Sequence, residues 1–221
     1  MRKLRKFNEP EKWTAVRHRY EPDLATDPIA ELARARWRKV PEVKGILSEE
    51  SGGKCIYCES KIGATTRGDV EHILPKSKFP LLAYEWGNLA LACNECNRRK
   101  NDYFEEHAQP LNPYLDSVEE RLMHIGATVH AAIGDPRAEI TVQILEIGNE
   151  KRTDLIARKI DRLNHLDNLI RRLNSENDAI ARLAIEFQLI RMTRLSAEYS
   201  AMIIATLPRY GAEQYSLTDG E

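Results

Sequence analysis

The chain has 221 residues, a mass of 25.3 kDa and a formal net charge of -1, with 33 Lys and Arg against 34 Asp and Glu. That balance excludes a generic cationic coat for nucleic acid, and no apolar run approaches the ~18 residues of a membrane-spanning helix. The start, "MRKLRK", is charged rather than apolar, so the expectation is a cytoplasmic protein without a secretory leader, in which four cysteines do not read as two disulfides.

Residues 1–47 carry twelve Lys or Arg against seven acids and are expected to form a basic helical arm, either solvated or touching phosphates. Within it, "DPIAELARARWRKV" (27–40) predicts one helix with Ile29, Leu32, Ala33, Trp37 and Val40 on a face. Asp27 would cap it, Pro28 take its first position and Pro41 close it. Trp13, Trp37 and Trp86 are too scattered among basic residues for a base-stacking platform and read as packing anchors.

Residues 48–110 hold all four cysteines together with several glycines and are expected to form one core unit. "CIYC" (Cys55, Cys58) and "CNEC" (Cys93, Cys96) are paired knuckles, whose two-residue spacing turns both thiolates of each toward one centre about 2.3 Å away. Structural zinc is the reading, with iron at four thiolates the alternative. A thioredoxin-like redox pair would need one knuckle and a βαβ setting. Four thiolates leave zinc no open position, so any chemistry must lie elsewhere.

Between the knuckles stands "GDVEHILPKSKFP" (68–80). In a strand, Glu71 and His72 point to opposite faces and Asp69 shares the face of Glu71. An acid for a hard cation and a histidine to deprotonate water are the two groups that metal-assisted phosphodiester hydrolysis requires. Asp69 is either a carboxylate behind that pair or a turn residue. Lys76 and Lys78 flank the loop, and Arg98, Arg99 and Lys100 follow the second knuckle, as candidates to meet nucleic-acid phosphate or as a solvated basic face. Asn101, four residues after Asn97, is an auxiliary ligand candidate.

Residues 111–149 read as a short β-meander: "ATVHAAI", a "GDP" turn, then the β-branched "EITVQILEI", ended by Gly148 and Asn149. Residues 150–221 read as helical, with a stripe of Leu155, Ile156, Ile160, Leu163, Leu166, Leu169, Ile170 and Leu173. "SEND" would open a second helix with Ser175 and Asp178 as a capping box. The pair either packs on the core or offers one helix to a partner protein. The fold class is α+β, mostly helical, in one compact unit. His18, His107, His124, His130 and His165 carry no pattern.

Cys55, Cys58, Glu71-His72-Ile73, Pro75, Asn88-Leu89, Cys93, Cys96, Asn97 and Lys100 together resemble the HNH endonuclease superfamily in its zinc-knuckle branch. The resemblance implies that residues 48–110 form the nuclease core with its zinc knuckles: a β-hairpin and a helix, the ββα-metal core, around one catalytic cation. Position by position it makes His72 the general base and Glu71 and Asn97 ligands of Mg²⁺ or Mn²⁺. The four cysteines become the zinc site, and Asn88 the central asparagine that holds the loop in register and helps to orient the histidine. Two positions depart from the usual pattern: Glu71 replaces the commoner Asp, and Asn97 a frequent histidine. Both offer oxygen to a hard cation. The spread words "MRKLRKFNEP", "EHILPKSKFP", "CNECNRRK" and "LNPYLD" also look like the PtuB-type HNH nucleases of retron and Septu anti-phage systems. That likeness implies a nucleic-acid substrate and a partner ATPase (PtuA-like). The alternative is a non-catalytic zinc-knuckle module that binds nucleic acid or protein.

Overall fold

The computed structural model describes residues 1–33, 36–63, 68–148 and 150–216; Asn149 and the side chains of Ala33, Trp37, Lys39 and Glu150 lie outside what is described. Three helices lead: α1 (Glu11–Thr26), α2 (Pro28–Ala33) and α3 (Pro41–Glu50). Then come β1 (Asp69–His72), a long loop, β2 (Leu89–Ala92) and α4 (Asn94–Lys100). A short α5 (Val118–Arg121) precedes β3 (Leu122–Ile125), β4 (Thr128–Ala131) and α6 (Pro136–Leu145). The chain ends in α7 (Thr153–Ser175), α8 (Ala179–Thr193) and α9 (Ser200–Thr206).

β1 and β2 pair antiparallel, with Glu71 opposite Ala90 and His72 opposite Leu89. All four residues of β2, "LALA", are buried, because two cores meet at this strand. Leu89 and Leu91 pack with Trp13, Leu24, Val43, Leu47 and Tyr84 of the N-terminal part. Ala90 and Ala92 face a second core built on the cysteines, Leu111, Leu145 and the apolar side of α7–α9. The alternation follows from the two-residue period of a strand, and the small alanines leave room for the knuckles.

The helix expected over 27–40 is shorter. Asp27 does cap α2, its Oδ1 accepting from the Ala30 N–H at 3.1 Å, but α2 ends at Ala33 and a 3₁₀ turn spans Arg36–Lys39. Ile29 is exposed and Glu31 buried instead. The Glu31 carboxylate accepts from Arg36 Nη2 and from the Tyr84 hydroxyl, both at 2.8 Å, so the inner face carries an ion pair. Pro41 opens α3 rather than only closing what precedes it. The basic start turns inward: Arg2 Nη1 donates to the Thr193 carbonyl at 2.8 Å, and Lys6 Nζ meets Glu50 and the Leu89 carbonyl at 2.9 and 2.7 Å.

The meander is a two-stranded hairpin, β3–β4, followed by a helix. "EITVQILEI" lies mostly in α6, where Ala138, Thr141 and Leu145 are buried at helical spacing. Asp135 is the reason. Its carboxylate accepts from the Ala138 N–H at 3.0 Å and Pro136 occupies the first turn, so the "GDP" read as a turn is a helix start. Gly148 is required where it stands, since a Cβ there would lie 1.9 Å from the Val129 carbonyl oxygen.

In the C-terminal part, α7 buries Leu155, Leu166, Leu169, Ile170 and Leu173 and packs with α8. A third helix, α9, joins the expected pair and packs against β3 and α8. Ser175 closes α7 and spends its hydroxyl on the Arg171 carbonyl. Asp178 alone caps α8, accepting from the Ala181 N–H at 2.8 Å. Ile180, Leu183 and Phe187 of α8 face solvent. No helix among the described residues is long and apolar enough to cross a membrane.

Candidate active site and zinc centre

The four cysteine sulfurs lie within 4.8 Å of one another and all four residues are buried. Cys58 Sγ and Cys93 Sγ are 3.8 Å apart, about the edge of a tetrahedron with 2.3 Å metal–sulfur bonds. Donor set and spacing therefore fit a structural zinc. Hydrogen bonds from Cys55, Cys93 and Cys96 hold the Cys58 thiol well below its ordinary value, whereas burial pushes Cys55 well up. Arg152, which the sequence did not reveal, donates from Nη1 to Cys96 Sγ at 3.2 Å and to the Leu145 carbonyl at 3.2 Å. One cation beside a cluster of thiolates offsets part of their charge. It also ties the start of α7 to the second knuckle.

Beside this centre, the end of β1, the loop after it and α4 enclose a cavity of about 620 Å³ lined by Asp69, Glu71, His72, Lys76, Asn97 and Arg98, among others. Glu71 and His72 leave the strand on opposite faces, yet both reach this cavity because β1 ends there. His72 Nε2 lies 3.0 Å from the Ala83 carbonyl. A carbonyl only accepts, so Nε2 carries the proton and Nδ1 is the accepting nitrogen. Burial, helped by the neighbouring Lys76, lowers the His72 pKa to about 4. The ring is therefore neutral at pH 7.

Asn88 is buried in the loop wall. Its Oδ1 accepts from the Leu74 N–H at 2.7 Å, and its Nδ2 donates to the Leu74 and Leu82 carbonyls at 3.0 and 3.1 Å. These bonds clamp both arms of the 73–88 loop, and Ala83, the acceptor for His72, sits on the clamped arm. Asn97 follows the second knuckle on α4, with Nδ2 3.4 Å from Asp69 Oδ2. That contact turns its amide oxygen away from Asp69.

Glu71 is 2% exposed. Its Oε1 takes both the Lys100 ammonium at 2.6 Å and the Tyr57 hydroxyl at 3.1 Å. Burial raises the Glu71 carboxyl above its ordinary value against the opposing pull of Lys100 and Tyr57. This corrects the phosphate-contact reading of Lys100. The side chain is 2% exposed, and its ammonium is consumed by Glu71 and by the His72 carbonyl at 2.8 Å. Arg99 is turned aside as well, pairing with Glu95 at 2.6 Å and with Glu146. Arg98 is exposed at the cavity, bridged to Glu95 at 3.0 Å. Lys76 lines the cavity, half-buried. Lys78 is exposed, with Nζ 3.3 Å from the Phe104 carbonyl. Asn101 reaches the rim in a left-handed turn, φ 46°, with its amide on Asp102 at 3.0 Å. Sequence reasoning missed Tyr57, Asn94 and Asp102 at this site. Asp69 was visible there only through its shared strand face with Glu71.

An antiparallel strand pair feeding a helix, with an acid and a neutral histidine at the strand end and four thiolates alongside, is the ββα arrangement of an HNH fold. The sequence model of the HNH endonuclease family matches residues 55–103, the segment from the first knuckle to just beyond α4, so the chain carries an HNH endonuclease domain. Its likeness is to HNH proteins of Septu type. Septu protein PtuB of Bacillus thuringiensis is 26% identical over an alignment that covers 82% of this chain and 74% of that protein. Septu protein PtuB of Bacillus mycoides (strain KBAB4) is 34% identical over 38% of this chain and 35% of its own length.

Proposed function

We propose that the protein is a metal-dependent HNH endonuclease that hydrolyses nucleic-acid phosphodiester bonds. By its likeness to Septu protein PtuB it would serve anti-phage defence together with a partner ATPase. The observation that carries this reading is the convergence of Asp69, Glu71, His72 and Asn97 on one cavity, next to a centre that holds no open coordination position. Glu71 and the Asn97 amide each offer an oxygen, the donor type that Mg²⁺ or Mn²⁺ takes. Lys100 and Tyr57 both occupy Oε1 of Glu71, which leaves Oε2 as the oxygen for a cation. A bound divalent ion would neutralise charge on the scissile phosphate and on its leaving oxygen.

The chain's own groups do the rest. His72 Nδ1 accepts a proton from water, whose oxygen bonds to phosphorus as the bond to the 3′ oxygen breaks. The Ala83 carbonyl fixes the ring in the tautomer that permits this, and Asn88 fixes Ala83. Arg98 and Lys76 provide cationic charge at the cavity mouth.

The test is cleavage of plasmid DNA and of total tRNA in Mg²⁺ or Mn²⁺, alone and with the partner ATPase, for wild type beside His72→Ala. The expected result is loss of about 10²–10⁴-fold in rate for the variant, with zinc content and thermal melt unchanged. A wild type that binds zinc and folds but cuts neither substrate under any of these conditions would instead favour the non-catalytic knuckle module.

A further inference from the structure

Two further cavities adjoin the zinc centre and the C-terminal helices, and the outer one is strongly cationic. One, of about 490 Å³, opens between α7, α8 and the connection to α9; Lys61, Arg162, His165, Arg191 and Arg194 line it, with Glu198 its single carboxylate. One Glu198 oxygen is already taken by the Lys61 backbone N–H at 2.7 Å. Arg162 is half-buried there, and its Nε is enclosed with no hydrogen-bond partner among the described residues. A guanidinium nitrogen shut away from both water and acceptors is an unfilled anion contact. Arg191 and Arg194 are exposed and make no ion pair among the described residues.

The second cavity, of about 420 Å³, adds Arg158 together with Arg152 beside the cysteines, and Glu95 and Asp154 line it as well. It shares Lys61 with the first cavity and Asn94 with the candidate active site. The three hollows thus form a chain. Arg158 and Arg162 stand four residues apart on α7, one turn or about 6 Å along its axis, and His165 continues the same face. No aromatic side chain lines the outer cavity among the described residues, so it offers nothing on which a base would stack.

Resting on the nuclease reading, we propose that Lys61, Arg158, Arg162, Arg191 and Arg194 form a phosphate track. It would hold the sugar–phosphate backbone of the substrate, without regard to sequence, along the C-terminal helices and lead it past the zinc centre to the cleavage cavity. A near-neutral chain thereby concentrates its affinity on one face. A free nucleotide triphosphate carries the same phosphate chemistry, but it would fill one hollow and leave the others without a role.

The experiment is fluorescence anisotropy with the full-length, zinc-loaded protein. The probes are a short labelled single-stranded DNA, its duplex and an RNA of the same sequence, without added divalent cation and between about 50 and 200 mM KCl. Because Arg162 is half-buried, the informative variant is the exposed pair Arg191→Glu/Arg194→Glu. Arg171→Glu, on the outer side of α7, controls for a charge reversal made outside the track. The track predicts that the double variant weakens binding about tenfold or more and lowers the slope of log K against log salt by about two. Arg171→Glu would bind like wild type.

Unchanged affinity and slope in a double variant that keeps its zinc and its melt would overturn the proposal. So would absence of measurable binding by wild type, or Arg191-dependent binding of ATP by a protein that does not bind the nucleic acids. The nuclease reading fails separately: a wild type that binds through these arginines yet never cuts keeps the track and loses the catalytic assignment.

Discussion

At the level of single residues, the site is defined by what each polar group has already given away. His72 donates from Nε2 to the Ala83 carbonyl, which makes Nδ1 the basic nitrogen of the ring. Its pKa of about 4 lies below the ordinary value of 6.5, so the neutral base is complete above pH 5.5 and is lost as pH falls through 4. Cleavage rates should therefore stay level from pH 7 down to about 5.5 where His72 alone governs them, and drop below that. A histidine with its ordinary pKa would begin to lose rate near pH 7. Lys100 has given its ammonium to Glu71, both groups being buried. Lys100→Met should cost about 3–5 kcal/mol in urea unfolding, because it strands a buried carboxylate, and adding Glu71→Gln should recover part of that loss. Asn88→Ala removes three hydrogen bonds from a buried loop clamp and should cost about 2–4 kcal/mol in the same assay. His72, Asn88 and Asn97 stand out as candidates in the sequence because a motif spaces them. The role of Lys100 was not, since a lysine after a knuckle looks the same in sequence whether it faces solvent or turns under a strand.

Among the elements, the zinc centre joins three pieces of chain: two knuckles and the entry to α7. Arg152→Met should raise the zinc dissociation constant by about 10–100-fold, as losses just outside a ligand set do. Competition with a chromophoric chelator measures it, and Co²⁺ substitution reports whether all four thiolates still bind. The knuckles and the ββα order could be read ahead of the structure because metal spacing and the strand–proline stop are local signals. α6 could not. Its β-branched residues suggested a strand, and only the Asp135-Pro136 start outweighs them, although the same pair at Asp27-Pro28 was read correctly as a cap. Period decides the matter: Ala138, Thr141 and Leu145 are buried at steps of three and four. The boundary between α7 and α8 shows a related ambiguity, since Ser175 and Asp178 each have the chemistry of a cap and only one is free for it.

Across the whole molecule, β2 is the shared wall of two cores, one side leucine and the other alanine. Leu89→Ala should cost about 2–5 kcal/mol by urea unfolding, since Leu89 is fully buried and its neighbours come from distant helices that cannot easily collapse. A second effect is spread over the whole fold. Both ring nitrogens of His124 are buried without partners among the described residues, and burial lowers its pKa to about 3. The unfolded chain binds a proton there below pH 6.5 and the folded chain does not until about pH 3. Stability should thus fall as pH drops through that window, by up to about 1.4 kcal/mol per pH unit from this residue. His124→Gln should flatten the slope by that amount in unfolding curves taken from pH 4 to 6.5. Neither shared walls nor buried histidines are visible in sequence, because both depend on which distant segments meet.

The separation of the cysteines sets an order in time. Cys58 and Cys93 lie 35 residues apart, with the candidate catalytic strand between them. At about 5–20 residues per second, a ribosome takes roughly 2–7 s to make that span, and Arg152 arrives later still. Until the second knuckle emerges, the first has two sulfurs and no partner, and Glu71 has no Lys100 to neutralise it. The cavity is therefore closed only once α4 has been made, and a nascent or truncated chain that stops short of it carries the motif without the site.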